Sequence, residues 1–150
     1  MTTLFLGRPI WYNPKKLFSF ELDGDDTSQQ VFDIYSFSHV THGILLYFFF
    51  KYLNTNLIHG LYLTILIEII WEIFENTPYI IKKYRKSPEY KNYKGDSIVN
   101  IVGDIVFTIL GYYLAFKSSK FAIIYLFLSE IILMRFKANF IGLSFGSLMQ

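Results

Sequence analysis

The chain has 150 residues, room for one domain and not for two ordinary ones. Apolar types make up 53% of it and aromatic residues 20%, which excludes a disordered chain and is high for a soluble one. The absence of cysteine excludes disulfides, thiolate metal sites and cysteine nucleophiles, and a net charge of +2 is too small to make the whole chain bind nucleic acid.

The first element is a mixed segment over residues 1–35. MTTLFLGRPIW has a short apolar run and no positive residues before it, so it reads as part of the mature protein and not as a secretory signal. GRPIWYNP carries the Gly and Pro punctuation of a loop. ELDGDDTSQQ, with Glu21, Asp23, Asp25 and Asp26, reads as a surface segment. Phe5, Leu6, Trp11 and Phe18 would lay this region on a bilayer.

Four apolar runs follow: Ser36 to Leu53, Leu57 to about Ile81, Ile98 to Phe116, and Phe121 to about Phe136. A ~30 Å hydrocarbon core takes roughly 20 helical residues, so the first is close to the limit and the fourth is marginal. All four are apolar around most of their circumference, unlike the single stripe of a soluble surface helix. The predicted fold is all-α: a polytopic membrane bundle of about four transmembrane helices. It forms one integral membrane domain, with an N-terminal interfacial segment (1–35), the bundle (36–136) and a C-terminal tail (137–150).

Basic residues set the orientation of such a bundle. Arg8, Lys15, Lys16, the run KKYRKSPEYKNYK over 82–94, Arg135 and Lys137 fall on one side. The other side holds Lys51, Lys117 and Lys120. Both termini and the 82–94 loop are therefore expected in the cytoplasm.

With that topology the polar residues inside the runs gather at one depth. Ser38, His39 and His42 open the first helix, Glu68, Glu72, Glu75 and Asn76 close the second, and Asp96, Asn100 and Asp104 open the third. The histidines are spaced i, i+3, the glutamates i, i+4, i+7, and the Asp96 set i, i+4, i+8, so each group shares a face. Gly95, Gly103 and Gly111 recur at every eighth position and would let helices approach closely. Charged carboxylates in a bilayer need a cation, a proton or a partner. Carboxylates with imidazoles suit Zn, Mn or Fe, and carboxylates alone suit Mg or Ca. His39, His42, Glu72 and Asp104 are the candidate metal ligands, with Glu72 as the bridge between the histidines and Asp104. Glu68 or Glu75 is the candidate general base. Blander roles stay open: Asp96 before Ser97 also reads as a helix N-cap, Glu72 and Glu75 as headgroup-level caps, and the histidines as inter-helix hydrogen-bond partners.

GRPIW, DIYSFSHVTHG, WEIFENTPYIIKKYR and YKGDSIVNIVGD, in that order and with LMRFKANF near the end, resemble the signature blocks of an uncharacterised family of alphaproteobacterial multi-pass inner-membrane proteins. The His, Trp-Glu-x-x-Glu and Gly-Asp elements are also distantly similar to VanZ-like small membrane proteins. The first resemblance implies a bacterial inner-membrane location and a helical fold, and no chemistry. It also implies a further apolar helix before the GRP block, of which Thr2–Gly7 would be a remnant.

Three functions fit these residues. One is an intramembrane metal-site protein, hydrolytic toward a lipid or phosphate-bearing substrate at the cytoplasmic leaflet. A second is a proton or cation translocator that uses the same acids as relay sites. The third is an accessory or assembly subunit of a larger membrane complex, its polar cluster locking helices together. The expected partners are the lipid bilayer and other membrane subunits, with no nucleic acid.

Overall fold

The structure, a computed structural model, describes residues 7–21, 24–87 and 90–135. Phe5, Leu6, Asp23 and the tail 137–150 lie outside the described residues. Among the described residues five helices follow a short N-terminal segment: α1 (Ser36–Tyr52), α2 (Leu57–Glu75), α3 (Pro78–Tyr84), α4 (Ile98–Lys117) and α5 (Ser119–Arg135). Two of them, α2 and α4, are long and apolar enough to cross a membrane.

Local chemistry accounts for the boundaries. Asn56 caps α2 by accepting from the Ile58 amide at 2.9 Å. The second apolar run, expected to continue to about Ile81, breaks instead at Asn76–Thr77. Pro78 has no amide hydrogen to offer the preceding turn, so it starts a new helix at its first position, with Thr77 as the cap. The cap of α4 is Ser97, whose hydroxyl accepts from the Asn100 amide at 3.1 Å. That corrects the N-cap reading of Asp96, which is engaged elsewhere.

The helices run up and down, so the start of α1, the end of α2, the start of α4 and the end of α5 share one end of the bundle. The N-terminal segment closes that end. Its Pro9 and Ile10 carbonyls accept the Ile98 and Val99 amides at 3.0 and 3.1 Å, extending the first turn of α4. A two-residue parallel bridge joins β1 (Phe18–Ser19) to β2 (Phe32–Asp33). The expectation of a surface segment fails over residues 26–30, all of which are buried. Gln29 donates to the Gly95 carbonyl at 2.7 Å, and the Gln30 carbonyl accepts from Asn100 at 2.9 Å. The polar composition that suggests a surface supplies the partners that a buried, irregular backbone needs. Glu21 stays exposed.

Burial is reversed relative to a soluble bundle. The buried residues of α2 are Gly60, Thr64, Glu68 and Glu72, one per turn on a single face, while Ile67, Ile70, Ile73 and Phe74 are exposed. Buried apolar packing concentrates at the opposite end, where Ile44, Tyr47 and Phe50 meet Tyr112, Ala115 and Ala122. The Tyr47 and Tyr112 rings pack edge-on there, 5.2 Å apart.

Candidate metal centre

The buried polar face of α2 meets α1 and α4 toward the closed end of the bundle. His39 projects from the first turn of α1 and is 6% exposed. Its Nδ1 lies 2.5 Å from Glu68 Oε1 and 3.7 Å from Glu72 Oε1, and its Nε2 lies 3.7 Å from Asp104 Oδ2. Four of the six candidate site residues are thus in one cluster. His42 joins from one side, with Nδ1 3.4 Å from Glu68 Oε2. Its ring packs edge-on against His39 and Trp71. Glu75 stands apart, within hydrogen-bonding reach of Tyr84 and Trp71.

The expected bridge between the histidines and Asp104 is shared by two glutamates. Glu68 spans both imidazoles, and Glu72 turns toward His39 and Asp104. The physical consequence is a division of labour. A carboxylate at hydrogen-bond distance from Nδ1 holds a proton on that nitrogen and turns Nε2 toward Asp104. Glu72 has no such partner: both of its carboxylate oxygens are buried without a hydrogen bond. Single donor atoms of His39, Glu72 and Asp104 lie within 4.8 Å of one another, as do those of His39, His42 and Glu68. Metal–ligand distances of about 2.0–2.2 Å put neighbouring donors about 3–3.6 Å apart, so small side-chain movements would close either set on an ion.

A polar shell supports this cluster from the closed end. Asp33 accepts the Tyr35 and Ser36 amides at 2.8 and 3.0 Å, and the Ser36 hydroxyl accepts the Asp33 amide at 3.0 Å. The same hydroxyl stands 3.5 Å from Asp104. Burial pushes the Asp33 carboxyl up to about 6, against the pull of His39. Asp96 is held by Tyr93 at 2.9 Å and by a two-point clasp with Asn76, whose amide donates at 2.6 Å and accepts from the Asp96 amide at 2.7 Å. Burial raises the Asp96 carboxyl and lifts the Tyr93 phenol well above its ordinary value. Asp33, Ser36 and Tyr93 are absent from the candidates drawn from sequence. Asp33, a residue type that favours helix starts, just ahead of an apolar run, is the signal that could have identified it.

The polar core ends abruptly. Beyond Glu68 the inward residue of α2 is Thr64, whose hydroxyl returns to the Gly60 carbonyl at 2.8 Å. Past it stands the aromatic packing of Tyr47, Phe50 and Tyr112. The acids line half of the bundle and do not form a path through it.

Comparison with known proteins adds family and no chemistry. The chain is similar to UPF0314 proteins of three bacteria. It is 39% identical to that of Brucella anthropi over 94 residues, covering 61% of this chain and 48% of the relative. With that of Sphingopyxis alaskensis it is 35% identical over 120 residues, 73% of this chain and 60% of the relative. With that of Agrobacterium fabrum it is 40% identical over 102 residues, 67% of this chain and 52% of the relative. The chain therefore spans about half to three-fifths of the length of these relatives. No solved structure matches it. The family model described as "Protein of unknown function (DUF2585)" matches residues 4–143, and on that match the chain belongs to the DUF2585 family.

Proposed function

We propose that this chain is a multi-pass membrane protein that binds one divalent metal ion between His39 Nε2, Glu72 and Asp104. The observation that carries the metal is the buried Glu72 carboxylate, without a hydrogen-bond partner, beside an oriented imidazole and a second acid. A charged carboxylate buried there without a hydrogen bond costs several kcal/mol, and a cation would offset it. Two carboxylates and one imidazole suit Zn, Mn or Fe. Glu68 holds both histidines in place. Hydrolysis of a lipid or phosphate-bearing substrate is the reaction class such a site would serve, since an ion held there would lower the pKa of a bound water. Glu68 is the better-placed base for that water, because Glu75 belongs to the Tyr84 and Trp71 group. A translocator fits less well, since the aromatic packing closes the far half of the bundle.

The membrane part of the proposal rests on reversed burial. Polar groups on the inside and isoleucines on the outside suit a bundle whose solvent is hydrocarbon. In this reading α1, α2, α4 and α5 all span, the first and last with help from flanking lysines. The N-terminal segment and the 82–94 loop close the cytoplasmic end.

Elemental analysis of the protein purified in mild detergent is expected to find one equivalent of a first-row divalent metal. A metal-free preparation that carries a stoichiometric partner protein would replace the metal site with the accessory-subunit reading. Orientation has its own check on this cysteine-free chain. Asn92→Cys is expected to react with an impermeant thiol reagent only after the inner membrane is opened. Labelling in intact spheroplasts would reverse the topology.

A further inference from the structure

A cavity of about 250 Å³ lies between α2 and α4. Its walls are Ile69 and Ile73 of α2 and Ile98, Ile101 and Ile105 of α4. Ile69 and Ile73 are exposed, so the cavity reaches the outer surface of the bundle as a groove. Three polar residues complete it: Glu72 on the inner side, and Arg8 and Asn76 toward the closed end. Both Glu72 carboxylate oxygens are buried, so the proposed metal centre lies behind the inner wall of this groove.

Arg8 is held at that end without being neutralised. Its guanidinium donates to the Asn76 carbonyl at 3.1 Å and to the Lys94 carbonyl. Its Nε is buried and has no partner. Among the described residues no carboxylate pairs with it. Two carbonyls satisfy hydrogen bonds but leave the positive charge, and a phosphate oxygen would supply both an acceptor and the counter-charge.

The two ends of the groove thus ask for different things from one occupant. A small water-soluble anion would answer Arg8 and leave five isoleucines empty. A neutral hydrocarbon would fill the isoleucines and leave Arg8 uncompensated. From Asn76 to Ile69 is about 10 Å along the helix axis. The volume is below the ~300–1,000 Å³ of a site that encloses a drug-sized ligand, which limits the occupant here to one chain segment.

We infer that this groove seats one acyl chain of an anionic phospholipid, its phosphate at Arg8 and its chain along the isoleucines, with the junction of head and chain beside Glu72. The inference rests on the membrane reading above and gives the proposed metal centre its substrate class. Lipid enters sideways between α2 and α4, so the reacting group need not leave the bilayer.

The test is native mass spectrometry of the full chain released from mild detergent containing equal amounts of phosphatidylglycerol and phosphatidylcholine. One phosphatidylglycerol per chain is expected to be retained, preferred by about fivefold, the value of one basic residue acting on an anionic lipid. Arg8→Gln is expected to abolish the preference and Arg8→Lys to keep most of it. Ile101→Trp, which fills the groove without touching Arg8, is expected to reduce retention of both lipids. Equal retention of the two lipids by the parent, or unchanged retention in Ile101→Trp, would overturn the inference. Metal content on the same samples separates the two proposals. Metal without lipid retention defeats the groove alone, and lipid retention without metal defeats the metal centre alone.

Discussion

Glu72→Gln is expected to strip the bound metal while the helices stay folded. The change keeps the size and shape of the side chain and removes the charge that attracts the ion. Removing a partner that only orients a ligand typically costs 10–100-fold in metal affinity, so loss of a direct ligand should cost at least about 100-fold. Asp104→Asn should behave in the same way. Glu68→Gln should fall in the milder range, because Glu68 orients His39 at 2.5 Å and is not one of the three proposed ligands. Glu75→Gln should leave metal content unchanged. Stability moves the other way: Glu72→Gln removes a buried acid, and the metal-free protein should melt no lower than the metal-free parent, or slightly higher. Metal content and melting temperature measured together give the result. Full metal occupancy in Glu72→Gln would end the ligand role, and a graded loss that placed Glu75 above Glu68 would put the base on the wrong turn of α2.

The gathering of His39, Glu68, Glu72 and Asp104 is legible in the sequence because an apolar background makes polar residues conspicuous. On α2 the inward residues are spaced four apart from Gly60 to Glu72, so the face can be read from spacing alone. Depth along the bundle is also legible, through the placement of Lys and Arg at the ends of the runs. Which glutamate meets which nitrogen is not. Glu68 and Glu72 lie on the same face one turn apart, and the choice between them depends on how far α1 slides along α2. Contacts between the two helices decide that, and no spacing within one helix records it.

The closed end is less legible for a related reason. The 26–30 stretch looks like solvent-exposed chain because its residues are polar, yet its groups find internal partners on Trp11, Lys16 and the Gly95–Asn100 turn. Composition distinguishes polar from apolar and says nothing about whether a polar group faces water or another polar group. Asp96 shows the same limit. Its place before Ser97 suits a cap, and its clasp with Asn76 comes from a helix end 20 residues earlier.

Gly43→Ala is expected to destabilise the bundle by about 3 kcal/mol, at the upper end of the range for overpacking, and to lower metal content with every ligand intact. A β-carbon at Gly43 would run into the Thr108 backbone carbonyl of α4. One at Gly111 would meet the Val40 carbonyl of α1, and one at Gly103 the Val31 carbonyl of the N-terminal segment. The obstacles are backbone atoms, which cannot rotate away as a side chain can, so α1 and α4 must move apart. That crossing is also where the proposed ligands are set. His39 lies one turn before Gly43, Asp104 one turn before Thr108, and the Thr108 hydroxyl donates to the His39 carbonyl at 3.1 Å. A shift at Gly43 therefore widens the 3.7 Å gap between His39 Nε2 and Asp104. Gly43→Val should be worse, and Val102→Ala, an exposed change on the outer face of α4, should alter neither readout. Thermal melting in mild detergent and metal analysis on these three variants check the coupling. A Gly43→Ala protein that melts lower yet keeps its metal would show that the ligands are held by the polar shell of Asp33, Ser36 and Glu68, not by the close approach of the two helices.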